Sequence, residues 1–293
     1  MLVVAAPAKL NLSLEVVARR PDGYHDLDSI VAPLDWHDLV GLHAEPAAHT
    51  TVVMRLTGPA AAGVPSGPEN LAARAAQALV EASGAAVSLT IWLDKRLPHA
   101  AGLGGGSADA GAVLRGGAEL LGRLGCAVPR AALTDIAAAL GSDVPAALRP
   151  AWWRLRGRGE ELTALPGGQM DLAVALAGAS STPGVYAALR PEECAGDGRS
   201  ARLEGRLRSG QPPVDEDLGS ALEGAALRES EPLRTTVSRL RAATPGQRWQ
   251  MTGSGGAFFA VTEDRAGAEQ LATLAGGIGL AARACRTLDG GLP

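Results

Sequence analysis

Leu97-Pro-His-Ala-Ala-Gly102-Leu-Gly-Gly-Gly106-Ser107-Ala-Asp109 is the stretch whose reading decides the fold. It lies between a strand predicted over Val87 to Leu93 and a helix predicted from Ser107 to Arg123. Glycines let backbone N–H groups come close to an anion. A helix N-terminus adds free donors and the positive end of a dipole. Pro98, Gly102, Leu103, Gly104, Gly105, Gly106 and Ser107 therefore form a candidate polyphosphate cradle rather than a flexible linker. The pattern separates it from other cradles. A Walker A loop ends in Gly-Lys-Ser/Thr, but Gly106 is followed by Ser107 and Ala108. The dinucleotide pattern Gly-x-Gly-x-x-Gly fails too, because counting on from Gly102 and Gly104 reaches Ser107. Counting on from Gly104 and Gly106 reaches Asp109. The His-Arg-Asp and Asp-Phe-Gly sequences of protein kinases are absent.

Outward from this loop, the chain reads as strands mixed with helices. Leu10, Leu12, Leu14 and Val16 alternate with polar or small residues, which predicts a strand with one apolar face. Asp22-Gly23 marks a turn. Strands are predicted over Asp26 to Leu34, Asp38 to His43 and Thr51 to Leu56, and a helix over Asn70 to Ser83 that stops at Gly84. A short helix follows at Arg130 to Leu140. Composition shifts near Pro150. Strands are predicted at 151–155, 172–176, 248–251, 257–262 and 279–286, and helices from Pro183, at 218–228, at 231–242 and at 264–275. Residues 190–217 give no firm pattern. The fold class is α+β in two halves, 1–150 and 151–293.

Composition narrows the function. The chain has 293 residues, 46% hydrophobic and 20% charged, enough for a substantial core. A net charge of −4 with no basic run argues against a nucleic-acid partner. No apolar run reaches the roughly eighteen residues of a membrane span. The start, Met1 to Pro7, lacks a basic region and predicts no signal peptide. Cys126, Cys194 and Cys285 are too scattered for a disulfide framework or a metal-ligand pair, so a cytoplasmic setting is expected. Of 27 basic residues only Lys9 and Lys95 are lysine, and only Asn11, Asn70, Tyr24 and Tyr186 represent their types. A lysine kept against such a bias marks a place where a compact ammonium is needed.

Five motifs together resemble the GHMP kinases, named for the galactose, homoserine, mevalonate and phosphomevalonate enzymes. They are Pro7-Ala-Lys-Leu-Asn11-Leu, Arg20-Pro-Asp-Gly-Tyr-His25, the glycine loop, Gly141-Ser-Asp-Val-Pro145 and Thr252-Gly-Ser-Gly-Gly-Ala-Phe-Phe259. The resemblance implies a two-domain fold. Its first domain would be the ATP-binding one, with a ribosomal protein S5 domain 2-like fold. Its second would be a ferredoxin-like α+β domain completing the substrate cleft. It implies an ATP-dependent, Mg²⁺-assisted kinase acting on a small-molecule alcohol. Within the family, the Tyr24-His25 pair with Tyr186 implies a cytidine diphosphate-linked methylerythritol. That acceptor is phosphorylated on its 2-hydroxyl in the non-mevalonate route to isoprenoid precursors. A homoserine, mevalonate or sugar acceptor is the nearest alternative, and a non-catalytic nucleotide- or RNA-binding module is a more distant one.

The resemblance also implies roles. Lys9 would contact the acceptor hydroxyl and the travelling phosphoryl group. Asp143 would receive the hydroxyl proton, or orient the hydroxyl and hold Lys9, or simply cap the helix that Pro145 begins. Tyr24, His25 and Tyr186 would recognise the cytosine, with Asn11 and Thr182 as further substrate contacts. Asn70 and Lys95 would lie on the nucleotide side, with Lys95 reaching the adenosine. Ser107 would bind phosphate and Mg²⁺. Asp109 would help hold Mg²⁺ or water, or favour the helix N-terminus; no metal ligand is assigned. His99 and Ala100-Ala101 depart from the family's usual Met or Val and extra glycine. Glu216-Asp217-Leu-Gly219 departs from its Asn-Asp-Leu-Glu.

Overall fold

Every even-numbered residue from Ala6 to Val16 is buried. That alternation makes β1 (Leu2–Arg19) the strand on which both halves are built. The structure, a computed structural model, describes residues 1–290. β2 (His25–Pro46) returns antiparallel to β1, after a tight connection in which Gly23 takes φ 85°. The sequence predicts two strands here and the structure has one. The predicted gap is a bulge: Pro7 pairs with His37 and Lys9 with Pro33, so Leu34, Asp35 and Trp36 stand opposite Ala8 alone.

β3 (Thr51–Thr57) runs parallel to β4 (Val87–Asp94), which pairs with the second half of β2. β5 (Trp153–Gly157) pairs with the first half of β2 and carries β6 (Glu161–Ala164) on its outer edge. β7 (Asp171–Leu176) belongs to a second sheet, and β8 (Gly219–Ser220) lies parallel on the free side of β1. The first sheet therefore has seven strands and recruits three of them from beyond residue 150.

α1 (Leu71–Ser83), α2 (Gly105–Arg123) and α3 (Arg130–Leu140) cover one face of this sheet. Val40, Leu42, Leu89, Ile91 and Leu93 pack there against Ala75, Ala76, Leu79, Val113 and Leu114. Asn70 caps α1 by accepting the Ala72 N–H, and Gly84 closes it in the left-handed region. α4 (Val144–Leu148) is a single short turn packed on α2. A Cβ at Gly111 would lie 2.5 Å from the backbone oxygen of Ala147, so glycine sets the distance between the two helices.

In the second sheet β9 (Gln250–Met251), β10 (Ala257–Thr262) and β11 (Ala281–Arg286) join β7 in the order β11-β7-β10-β9. Its two faces bury different things, as a strand period of two requires. Leu172, Val174 and Phe259 face Leu10, Leu12, Ile30 and Leu34 of the first sheet. Ala173, Ala175, Phe258 and Ala260 face three helices, α7 (Glu223–Glu229), α8 (Glu231–Ala243) and α9 (Arg265–Gly277). Between β7 and α7 lie α5 (Thr182–Ala187) and α6 (Arg199–Arg208).

α6 lies in the stretch without a sequence pattern. Glu15 of β1 explains its order: its carboxylate accepts the N–H groups of Asp197, Gly198 and Ser200 at 2.6–2.8 Å. Among the described residues no helix is long and apolar enough to cross a membrane.

Gly111→Ala should push α4 away from α2 and cost about 1–3 kcal/mol, because the clash is with backbone and not with a yielding side chain. Thermal unfolding checks this. A midpoint equal to that of the wild type would show that the α2–α4 contact has slack.

Candidate active site

β1 carries Lys9. Two of the three irregularities in its pairing with β2 flank the stretch from Lys9 to Asn11. Their backbone N–H groups leave the ladder and reach across the molecule. Lys9 N–H donates to the carbonyl of Leu103 in the glycine loop at 2.9 Å. Asn11 N–H donates to the Thr252 hydroxyl at 2.8 Å.

The Lys9 ammonium donates to Asn11 Oδ1 at 2.6 Å and stands 3.3 Å from Asp143 Oδ2. A proton chain fixes the Asn11 amide: Nδ2 donates to Ser29 Oγ, whose hydroxyl donates to the carbonyl of Ser13. The amide oxygen is thus left for Lys9 alone. Asp143 occupies the N-cap position of α4, yet its side chain makes no cap bond. Its carboxylate is partly exposed beside Lys9. The side chain of Asp143 therefore does not cap α4 and faces Lys9 instead.

The glycine loop lies against Lys9. Gly104 takes φ 70°, and a Cβ there would lie 2.9 Å from Lys9 Cγ. Gly102 takes φ 78° and abuts the carbonyl of Gly255, so the two glycine-rich loops meet backbone to backbone. α2 starts from Gly104 with no side-chain cap, which leaves its first-turn amides without intrahelical acceptors. Lys9, Gly104, Ser107 and Asp143 line one cavity, with Val31 and Leu155 as part of its apolar wall. Ala100, where the family usually has glycine, takes φ 56°, a region that costs a side-chain-bearing residue about 1–2 kcal/mol.

His25 and Tyr186 stack directly on each other, with centroids 5.1 Å apart. Tyr24 is 58% exposed, and the guanidinium of Arg158 lies 4.9 Å over its ring. Burial, aided by the charge of Asp143, pushes the Tyr186 phenol up to about 12. Burial, with help from Arg19, lowers the affinity of His25 for a proton, which favours the neutral imidazole. Thr182 shares a hydrogen bond with Ser254 at 2.7 Å, tying the start of α5 to the 252–256 loop.

Three residues assigned to the nucleotide side are occupied within the protein. Asn70 uses its amide on Ala72 and Pro65. Lys95 does not extend outward. Its ammonium is buried and donates to Asp38 and Asp109. Asp109 is therefore half of an ion pair. Burial pushes its carboxyl up to about 7, Lys95 opposes that shift, and Asp38 adds to it.

Sequence reading passed over Asp38, Ser29, Thr252 and Arg158 as site residues. Asp38 left a signal, the one carboxylate in the mostly apolar stretch Asp38 to His43. Ser29 left none. Among the described residues no group of three His, Cys, Asp or Glu side chains could hold a metal ion.

Comparison with known proteins matches this architecture. Residues 70–150 match the family described as GHMP kinases N terminal domain. A protein of Dinoroseobacter shibae named 4-diphosphocytidyl-2-C-methyl-D-erythritol kinase is 48% identical over 162 residues, 55% of this chain and 50% of its own. The chain thus spans about half the length of that relative. A protein of Jannaschia sp. with the same name is 38% identical over 276 residues, covering 91% of each chain. The crystal structure of a 4-(cytidine 5'-diphospho)-2C-methyl-D-erythritol kinase superposes with a TM-score of 0.79 at 35% identity, over 99% of this chain and 100% of that one. With a match of that identity along nearly its whole length, and with the glycine loop, Lys9 and Asp143 gathered at one cavity, this chain belongs to the 4-diphosphocytidyl-2-C-methyl-D-erythritol kinase family of GHMP kinases.

Proposed function

We propose that the protein transfers the γ-phosphoryl group of ATP to the 2-hydroxyl of 4-diphosphocytidyl-2-C-methyl-D-erythritol, a cytoplasmic step of the non-mevalonate isoprenoid pathway. One observation carries the chemistry: the Lys9 ammonium lies 3.3 Å from the Asp143 carboxylate, beside the uncapped first turn of α2. Residues 1–150 would supply the ATP-binding half, and 151–293 would complete the acceptor cleft.

The hydroxyl oxygen forms a bond to the γ-phosphorus, the bond from that phosphorus to the β,γ-bridging oxygen breaks, and ADP leaves. Asp143 orients the hydroxyl and takes its proton. Lys9, held by Asn11, offers a fixed positive charge to the phosphoryl oxygens in a loose transition state. The free amides of Gly105, Gly106 and Ser107 suit the β- and γ-phosphates. Gly102, Leu103 and Pro98 shape the loop that presents them.

A Mg²⁺ ion suits this donor set. Such an ion keeps several waters and takes most of its other ligands from phosphate. Ser107 at the first turn of α2 is the side chain placed to join it, whereas Asp109 is committed to Lys95. When bound, the ion would neutralise charge on the phosphates.

On the acceptor side, Tyr24, His25 and Tyr186 would hold the cytosine, with Thr182 and Asn11 nearby. The stacked His25–Tyr186 pair must open or shift for a base to enter between rings. Base–aromatic stacking is worth about 1–3 kcal/mol, and a neutral His25 can pair with the base edge. These aromatics favour a pyrimidine nucleotide over homoserine, mevalonate or a sugar.

Lys9→Ala and Asp143→Ala should each lower kcat by at least ~10²-fold with ADP binding retained. Turnover near the wild-type rate in either would remove that residue from the mechanism. Tyr186→Ala should raise KM for the cytidine substrate by about tenfold or more and leave KM for ATP unchanged. An unchanged acceptor KM would show that the ring does not touch the base. ADP release measured with the cytidine compound beside homoserine, mevalonate and galactose tests the acceptor itself. Turnover with the cytidine compound alone is expected, and turnover only with another acceptor would overturn the substrate assignment.

A further inference from the structure

A buried charge cluster that the phosphoryl chemistry does not use lies beneath the glycine loop. Asp38 of β2 is completely buried. Its Oδ1 accepts the backbone N–H groups of Arg96 and Leu97, and its Oδ2 accepts the Lys95 ammonium. The same ammonium donates to Asp109 Oδ2 in α2 at 2.7 Å. Asp109 is 2% exposed, and its other carboxylate oxygen has no partner among the described residues. A Cβ built on Gly105 would lie 3.4 Å from Lys95 Nζ, which puts the ammonium directly under the point where the loop becomes α2.

Stability does not account for this arrangement. Taking two carboxylates and an ammonium out of water costs several kcal/mol per ion, and apolar replacements of similar volume are often neutral or stabilising. What the cluster does supply is geometry. Asp38 grips the chain at Arg96 and Leu97, where the loop begins. Asp109 belongs to the helix into which the loop runs. One ammonium joins the two, so both ends of the loop are tied to β2 through a single point.

We propose that Asp38 and Asp109, acting through Lys95, are positioning residues that hold the glycine loop open at the width a nucleotide's polyphosphate needs. The proposal rests on the ATP-kinase reading and assigns Lys95 a place beneath the phosphates instead of against the adenosine. It also accounts for a carboxylate in the second turn of a helix whose N-terminus must receive an anion. There, a free negative charge would repel the ligand, and the ammonium that Asp109 shares with Asp38 offsets part of it.

Asp109→Leu tests it, because leucine fills similar space and leaves a neutral Asp38–Lys95 pair. ADP affinity, measured by calorimetry, should fall about tenfold, and KM for ATP should rise in parallel. KM for the acceptor should stay within about twofold, and the unfolding midpoint should not drop. Asp109→Asn, which still offers an acceptor to Lys95, should recover part of the loss. Wild-type ADP affinity in Asp109→Leu would overturn the proposal. So would equal rises in both Michaelis constants with a lower unfolding midpoint, since that marks general destabilisation. If Asp109→Leu fails to fold, Asp109→Asn decides: ADP affinity equal to wild type overturns the proposal, and a loss confined to the nucleotide side supports it. Absence of ADP binding by the wild type would instead defeat the kinase reading, and this proposal with it.

Discussion

The site depends on two backbone N–H groups that β1 withholds from its own ladder. Lys9 and Asn11 stand two apart on β1, so both donors point to the edge away from β2, and each must be paired where that edge is buried. Leu103 of the glycine loop pairs one and Thr252 of the second glycine-rich loop pairs the other. β8 then covers the next stretch of the same edge. One strand edge therefore fixes the relative positions of the glycine loop before α2, the 252–256 loop and the lysine between them. The close approach of Gly102 to Gly255 follows, since the loops are drawn to the same strand two residues apart.

The polar face of β1 is the other half of that constraint. Asn11, Ser13 and Glu15 are buried at 4% exposure or less. Buried polar groups require partners, and each of these has one that also does something else. Asn11 aims Lys9. Ser13 meets Ser200, and Glu15 gathers the amides that open α6. Asp217, in the segment that departs from the family pattern, is buried between Arg202 and Arg206 of the same helix. The C-terminal half is thus locked to the N-terminal strand by charge-assisted hydrogen bonds as well as by apolar packing.

Electrostatics in the cleft are divided between two lysines with opposite situations. Lys9 is partly exposed, with one carboxylate and one amide beside it, and it keeps charge available at the surface of the cavity. Lys95 is buried between two carboxylates and offsets one of their two negative charges from below the loop. Both positions need a compact ammonium that donates several short hydrogen bonds from one point, which a planar guanidinium cannot supply. That requirement explains why a chain with 27 basic residues keeps lysine only here.

The sequence by itself determined the element types and the chemical inventory. Period-two alternation in β1, the turn at Asp22-Gly23, the caps at Asn70 and Gly84 and the glycine loop before α2 are local signals, and they are read over a few neighbours. Those signals identify the loop and the scarce lysines as special, and five separated motifs point to the family. Tertiary structure decided the rest, because it depends on contacts between residues far apart in the chain. α6 shows no sequence pattern, since Glu15, some 180 residues away, organises its start. The bulge opposite Ala8 merges two predicted strands into one. Residues 153–164 and 219–220 join the first sheet because β1 and β2 leave free edges there. Lys95 looks like a ligand-binding cation in sequence, but a carboxylate on β2 and another on α2 turn its charge inward. Which group a side chain faces is set by the packing of distant elements, and no local pattern encodes it.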